Sequence, residues 1–561
     1  MNDLVIHPAL VLIAGALLLP WLRGALRKVF IVTLPFVVLA LVWRVPDGTA
    51  WQLSWLDHTL VPLQGDKLSR LFASVFALMA AGGGLFALGQ ESRVEVPAAF
   101  VYAGSAIGVA LAGDLVTVFV FWELMAVGST LVLWSQGSAA AYRAARRYLM
   151  IHLAGGVVLF AGIAGHVVDT GSVAFTSMAP DSVAHGLILV GFLVNAGAPP
   201  LSAWLPDAYP EASWSGTVFL SAFTTKAAVY VLLRGFPGTE LLIWVGLLMA
   251  FYGIVYGVLE NDMRRLLAYT IVNQSGFMIA GIGIGTEMAL NGAAAQAVTG
   301  VVYVALLLMS AGSVLLMTGR RKCSELGGLF HTMPLTTACG AIGALAISSF
   351  PLTSGFVSKS MVAQAAADGH LLSVWLLLTA ASAGVVLHAG LKFPWFVFFH
   401  QDSGLRPPEP PASMRWAMLF FAFLCIAPGV WAEPLYALLP YAVKYEPYTW
   451  AHVLTQLQLL LFSSLAFVVM LPYLRRTLTI TLDMDWIWRR LLPELVDAAA
   501  AVIGATHRAA GATAAATARH ARAAVERTHG LNSRFAKTWP TGTMALSVLL
   551  LLLGYLLLYY L

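Results

Sequence analysis

Charge is what this chain has least of: Asp, Glu, Lys and Arg together make up 11% of its 561 residues, against 59% hydrophobic. Mean hydropathy is +0.81. Such scarcity excludes a disordered chain, an ordinary soluble domain and a nucleic-acid binder, all of which need far more charge. Cysteine is almost absent as well. Cys323, Cys339 and Cys425 lack metal-ligand spacing, so neither a disulfide framework nor a metal site is indicated. No nucleotide motif, flavin fingerprint or iron–sulfur cysteine cluster occurs, so no cofactor is expected and any redox chemistry would belong to partners. The opening MNDLVIHPALVLIAGALLLPWL has no basic n-region and no small-residue cleavage site, and reads as a first spanning helix.

Long apolar runs are present in abundance. They fall at 5–22, 27–43, 67–88, 95–112, 114–134, 147–167, 184–204, 215–233, 238–258, 265–284, 293–317, 333–363, 371–397, 413–431, 451–472 and 541–561. At ~20 residues per bilayer crossing, that is roughly sixteen transmembrane helices, and the expected fold class is an all-α polytopic membrane protein. Alternate loops carry the basic residues: Arg23, Arg27 and Lys28; Arg93; Arg143, Arg146 and Arg147; Arg264 and Arg265; Arg320, Arg321 and Lys322; Arg406 and Arg415; Arg475, Arg476, Arg489 and Arg490. The intervening loops have only Arg44, Lys67, Arg70, Arg234 and Lys444. By the positive-inside rule both termini face outward, and the net charge of +5 reports orientation, not a polyanionic partner.

Two apolar runs contain breaks that a lipid-facing helix would avoid, NAGAPPLSAWLP at 195–206 and ISSFPLTSGFVSK at 347–359. Proline removes a donor and exposes carbonyls that hydrocarbon cannot satisfy, so such breaks belong inside protein or beside water. They lie in the seventh and twelfth runs, the spacing expected of two five-helix repeats that each hold one discontinuous helix. The stretch 483–537 differs from everything before it, being rich in alanine and arginine and too polar to span. It reads either as a surface helix bracing this chain or its neighbours, or as a flexible linker to the last span.

Ionisable groups inside the bilayer cost ~3 kcal/mol or more each, so every one calls for an explanation. Three stand out: Glu123 in FVFWELM, Lys226 in FTTKAAV and Lys359 in SGFVSKS. Desolvation of an acid and an amine brings both toward neutrality, where they can exchange protons, whereas an acid and base within reach hold each other charged. Glu123 and Lys226 could equally form a static pair that fixes two helices, and Lys359 could snorkel. Softer polar candidates are His152, Asn195, Asn273, Gln274, Gln296 and His388, with Asp114 as a helix cap facing water.

On these residues the chain resembles the antiporter-like membrane subunits shared by Mrp-type multisubunit cation/proton antiporters and respiratory complex I, and its extension, with LKFPWFVFFHQDSGLR at 391–406 and LDMDWIWRR at 482–490, most resembles the longer D-type subunits of the Mrp group. FWELM at 121–125, PLSAWLPDAYPEA at 200–212, TKAAVYVLLR at 225–234, DMRRLLAYTIVNQSGFM at 262–278 and MPLTTACGAIGALAISSFPLTSGFVSK at 333–359 carry the likeness. The resemblance implies a fourteen-helix core of two inverted repeats with two broken helices, and a hydrophilic axis in the membrane plane. It divides the chain into N-terminal helices (1–94), a first repeat (95–235), a second repeat (236–400), C-terminal core helices (401–482), the polar segment (483–540) and a terminal span (541–561). Glu123 matches the family's fifth-helix glutamate, Lys226 its eighth-helix lysine and Lys359 its twelfth-helix lysine or glutamate.

The departures fall in the middle of the axis. Asn195 stands where the family has a lysine, Ser202 where it has a histidine, and Gly300 and Val304 replace a histidine and a lysine in the eleventh span. Asn cannot change protonation near neutral pH. The implied function is a transporter subunit, not a stand-alone enzyme, in a bacterial inner membrane, working with other membrane subunits on protons and a monovalent cation. The alternatives are a proton-pumping subunit of a complex I-like or hydrogenase-type redox complex, or a structural or coupling subunit of an inorganic-carbon uptake complex.

Overall fold

A computed structural model describes residues 5–474, 483–533 and 536–560; Arg475 and Arg476, counted with the basic loops, lie outside the described residues. The chain divides into two compact units, Met1–Asp485 and Trp486–Leu561.

The first unit is built from helices, because apolar runs of this length can satisfy their backbone only by internal hydrogen bonds. It opens with α1 (Pro8–Leu18) and α2 (Gly24–Val42). An antiparallel hairpin follows, β1 (Gly48–Trp55) and β2 (His58–Gly65), with Trp55 opposite His58. Leu56 and Asp57 form its turn at φ of 44° and 64°, a conformation in which two-residue hairpins usually place Asn-Gly. Lacking that dipeptide, residues 44–66 gave no hairpin expectation. α3 (Lys67–Phe86) starts in a capping box, in which Asp66 Oδ1 accepts the Ser69 N–H and Ser69 Oγ accepts the Asp66 N–H. α4 (Glu95–Leu111), α5 (Leu115–Trp134), α6 (Ala139–Thr170) and α7 (Val183–Ala196) come next, with Asp114, Ser138 and Ser182 as side-chain caps of the last three.

Among the described residues, three spans are interrupted. α7 stops at Gly197, in the left-handed region at φ 80°, and the chain resumes as the short α8 (Trp204–Ala208). Trp204 Nε1 donates to the Val194 carbonyl at 3.0 Å, satisfying an acceptor near the broken end. The next span parts into α9 (Gly216–Leu220) and α10 (Thr224–Gly235) at residues 221–223; with no proline there, the sequence gives no sign of this break. α11 (Leu241–Leu259), α12 (Met263–Ile284) and α13 (Glu287–Thr318) are continuous. α14 (Pro334–Ile347) and α15 (Ser354–Asp368) are then separated by a turn in which Ser349 and Leu352 have positive φ.

α16 (Leu372–Val385) runs on into π-helical turns at Val386–Lys392 and Trp395–Phe399. α17 (Ala412–Val430), the short α18 (Glu433–Ala437) and α19 (Trp450–Leu474) complete the unit. α12 and α13 pack against both α10 and α15, so they separate the two later broken spans. The second unit comprises α20 (Leu492–His529) and α21 (Thr541–Tyr560). Of the polar stretch, Leu492–His529 is helical.

Among the described residues, twelve helical runs are long and apolar enough to cross a membrane, and four shorter apolar helices accompany them. Each apolar run of the sequence coincides with one of these. Burial ranks them: the Gly216–Gly235 run is wholly enclosed, whereas Trp450–Tyr473 is mostly open on the surface. An apolar helix enclosed on every side is a core helix. Polar residues on such a helix are therefore held inside the bundle.

Candidate functional site

Lys226 and Lys359 sit at broken helices and point back across the break. Lys226, fully buried in the first turn of α10, donates from Nζ to the Ser221 carbonyl at 3.3 Å and to Thr225 Oγ1 at 3.2 Å. Lys359, also buried, donates to the Ile347 carbonyl at 3.2 Å and lies 4.7 Å over the Phe277 ring. A half-helix that ends inside the bundle leaves carbonyls unpaired and concentrates negative potential there. An ammonium supplies both the missing donors and the opposing charge.

Glu123 is placed differently. It is half-buried on α5 and faces α6, where a Cβ on Gly156 would collide with its Oε1. That oxygen has no hydrogen-bond partner, and no ion pair or hydrogen bond joins Glu123 to Lys226 among the described residues. The static Glu123–Lys226 pair considered from the sequence is thus absent. Helices α5 and α10 each direct their charge elsewhere.

At the first break, His152 Nδ1 and Asn195 Oδ1 are 2.8 Å apart, and the imidazole is wedged between Tyr148 and Trp204, whose ring centres lie 4.1 and 4.6 Å away. Beyond Tyr148 the hydroxyls continue: Tyr148 donates to Ser129 Oγ at 2.9 Å, and Tyr102 lies 2.5 Å from Thr224 Oγ1 at the head of α10. Ser202 is buried and its hydroxyl is unpartnered.

Between the two lysines lies a compact network of amides and hydroxyls. Gln296 Nε2 donates to Gln274 Oε1 at 2.8 Å and to Tyr303 OH at 2.6 Å; Tyr303 OH donates to Gln274 Oε1 at 2.8 Å. Gln274 Nε2 reaches Asn273 Oδ1 at 2.7 Å, and Ser358, next to Lys359, donates to Gln296 Oε1 at 2.8 Å. Gly300 borders this network, since a Cβ there would meet Met278 Cε at 3.0 Å and Tyr303 OH at 3.4 Å. Tyr303 therefore occupies the room beside Gly300 where a longer side chain would project. Val304 is buried in apolar packing. An amide chain of this kind orders hydrogen bonds without a group that titrates near neutrality.

His388, in the π-helical stretch, bonds the Gly384 carbonyl through Nδ1 at 2.8 Å, while Nε2 is buried without a partner against Gly257. One turn on, Lys392 reaches the Val258 carbonyl at 2.6 Å and also the Glu260 carbonyl. Lys392 was not among the charges singled out from the sequence. Glu260 was missed as well. It is fully buried beyond α11, where Oε1 accepts the Asn261 and Asp262 N–H groups and Oε2 lies 3.4 Å from Arg265 Nε. Asp114 caps α5, accepting from the Thr117 N–H and Oγ1 at 2.7 and 2.6 Å, but it also accepts the Val61 N–H of β2 and is buried. The expectation that it faces water is corrected: the hairpin covers it.

Toward the basic loops, Arg147 forms a two-pronged pair with Asp207 at 2.7 and 2.8 Å, and Arg321 pairs with Asp262 at 2.9 Å. Burial pushes the Asp262 carboxyl up, and the opposing pull of Arg321 and Arg264 does not fully restore it. Among the described residues, no group of three or more His, Cys, Asp or Glu side chains is arranged to hold a metal ion.

Interrupted apolar spans with charges at the interruptions define a multi-pass membrane protein of the kind that keeps polar chemistry inside a helical bundle. The chain belongs to the NADH:quinone oxidoreductase/Mrp antiporter transmembrane family, whose model matches residues 112–386. It is 30% identical over 356 residues to the M-type subunit of the NADH-quinone oxidoreductase of Pseudomonas aeruginosa, covering 56% of this chain and 69% of the relative. It is 27% identical over 479 residues to the D-type subunit of the Na(+)/H(+) antiporter of Alkalihalophilus pseudofirmus, covering 78% of this chain and 95% of that one. With the A/B-type subunit of a probable K(+)/H(+) antiporter of Rhizobium meliloti, identity is 29% over 447 residues, 73% of this chain; the chain spans only 44% of that relative's length. One chain of the Mrp complex from Dietzia sp. has the same fold, with a TM-score of 0.77 at 23% identity over 89% of this chain and 59% of that one.

Proposed function

We propose that this chain is a membrane subunit of a multisubunit cation/proton antiporter in a bacterial inner membrane. Its partners are other membrane subunits, its ions are protons and a monovalent cation, and it has no enzymatic activity of its own. The proton-handling groups are Glu123, Lys226 and Lys359, supported by Asn195, His152, Gln274, Gln296 and His388. One observation carries this reading: Lys226 and Lys359 each meet the carbonyl end of an interrupted span. Deprotonating either would remove the positive charge that faces those carbonyls and weaken the hydrogen bond to them, so the charge state of the lysine is tied to the geometry of the break. That is how movement of a helix half can be coupled to movement of a proton.

The network of Gln274, Gln296 and Tyr303 lies on the helices that separate Lys226 from Lys359 and supplies hydrogen bonds but no titratable relay. In this reading the two lysines respond to each other through electrostatics and helix displacement, not through an unbroken line of titrating side chains. Similarity to one component of an NADH-quinone oxidoreductase favours a second reading, a proton-pumping role beside redox partners. Companion subunits identified after purification from native membranes decide between them: small antiporter subunits support the first, iron–sulfur subunits the second. In everted vesicles holding the assembled complex, Glu123→Gln should abolish cation-driven proton movement with assembly intact. Full retained movement would remove Glu123 from the mechanism.

A further inference from the structure

Glu95 opens α4, just past Arg93 of the basic loops, and is fully buried, yet the groups that bond its carboxylate are all neutral. Ser215 Oγ donates to Oε1, Ser135 Oγ donates to Oε2 at 3.1 Å, and Gln90 Nε2 faces both oxygens at 3.1 Å. Arg264 lies within electrostatic reach. Its guanidinium is committed elsewhere, to the carbonyls of Pro210, Ala212 and Ser213 at 2.9, 2.8 and 2.7 Å. Burying a carboxylate without a bonded cation is costly, and a positive ion at its side would offset that cost.

What stands at its side is a single amide nitrogen. Gln90 Nε2 is surrounded by four oxygens: Glu95 Oε1 and Oε2 at 3.1 Å each, Ser215 Oγ at 2.9 Å and Ser213 Oγ at 3.3 Å. Chemistry fixes which way the amide points, since a carboxylate only accepts and Gln90 Oε1 takes the Ser92 N–H at 3.3 Å. An amide nitrogen has two hydrogens and cannot serve four acceptors at once, whereas a spherical ion can. The shell is wider than the roughly 2.3–2.6 Å at which oxygens hold Ca²⁺, and it carries one negative charge, which suits a larger, singly charged ion such as K⁺. Gln90 also lines a cavity of about 450 Å³ with Glu91, Trp214 and Ser413, so its side chain has room to turn away from the carboxylate.

We propose that Glu95, Ser213 and Ser215 form a cradle for a potassium-sized monovalent cation, and that the Gln90 amide is an exchangeable plug that occupies it. When Gln90 turns into the cavity, the ion takes the position of Nε2, held by both carboxylate oxygens and the two hydroxyls, and water from the cavity completes its shell. Ser215 keeps its hydrogen on Glu95 Oε1 and offers a lone pair to the ion. This inference rests on the antiporter reading, to whose cation it gives a binding position at the basic-loop face. Binding itself is measured without any gradient or transport.

The test is equilibrium binding of radioactive Rb⁺, standing in for K⁺, to the purified native complex, with choline chloride holding the ionic strength constant. Wild-type complex should show a saturable component that K⁺ displaces at lower concentration than Na⁺, and Glu95→Gln should lack it. Gln90→Ala removes the plug and should bind at least about threefold more tightly. Ser215→Ala removes a ligand and should bind at least about threefold more weakly; it serves if Glu95→Gln does not assemble. Equal binding in wild type and the Glu95 and Ser215 variants, displacement by Na⁺ as effective as by K⁺, or binding in Gln90→Ala no tighter than in wild type would overturn the cradle. Failure of the antiporter reading looks different: wild-type vesicles would show no cation-driven proton movement while Rb⁺ binding, and its loss in Glu95→Gln, remained.

Discussion

His152 Nδ1 lies 2.8 Å from Asn195 Oδ1, at the position where the family resemblance leads one to expect a lysine amine. Asparagine supplies an acceptor where an ammonium could only donate. The imidazole, wedged between Tyr148 and Trp204, is therefore held with its proton on Nδ1, and its Nε2 has no partner. The amide thus gives the buried imidazole an acceptor that an ammonium could not provide.

Asn195→Ala removes the acceptor from a buried donor and should lower stability by about 1–3 kcal/mol, visible as a lower Tm in detergent. Asn195→Lys replaces the acceptor with a donor and forces the other imidazole tautomer. If the missing lysine is what limits proton passage in the first half, proton flux through the complex rises in this variant; unchanged flux places the limit elsewhere.

Gly156 gives the Glu123 carboxylate its room, since a Cβ there would collide with Oε1. Gly156→Ala should push the carboxylate away while keeping its charge and leaving the complex assembled. Cation-driven proton movement should then fall by about three- to tenfold, roughly 1 kcal/mol in the barrier. Wild-type rates in an assembled Gly156→Ala complex would mean that the position of Glu123 is unimportant.

Gln296 joins Gln274, Tyr303 and Ser358 in a network without a group that titrates near neutrality. Gln296→Leu would strand those partners, at a cost of about 1–3 kcal/mol, measurable by thermal unfolding. Gln296→Glu keeps the shape and adds a titratable carboxyl between the lysines. Uncoupled proton leak in vesicles should increase for Gln296→Glu but not for Gln296→Leu; equal leak in the two variants would argue that the network is no barrier.

Asp66 caps α3 and pairs with Arg234 at the end of α10. Burial pushes its carboxyl up, but Arg234 and the Ser69 N–H outweigh this and hold it below its ordinary value. The sign follows from linkage: a depressed carboxyl stabilises the fold above the ordinary carboxylate range, and that contribution is lost as pH falls through the depressed value. The Tm difference between the wild-type chain and Asp66→Asn should be constant from about pH 7 to 5 and shrink below about pH 4. A difference that grows on acidification would contradict the pairing.

Composition and hydropathy by themselves determined that this chain is a bundle of apolar helices, because a bilayer permits almost nothing else for runs of such length. Proline exposed two of the interruptions, and the cost of burying charge singled out Glu123, Lys226 and Lys359. Whether those charges meet was decided only by tertiary structure, since neighbours in a bundle come from helices far apart in sequence and side-chain direction depends on rotation about each helix axis. Thus Glu123 turned toward Gly156 and not toward Lys226, and Asp114 was closed over by a hairpin that lacks the usual turn residues. Lys392 and Glu260 stayed hidden because a charge near the end of an apolar run can lie in water or fold back onto the chain, and only packing chooses between the two.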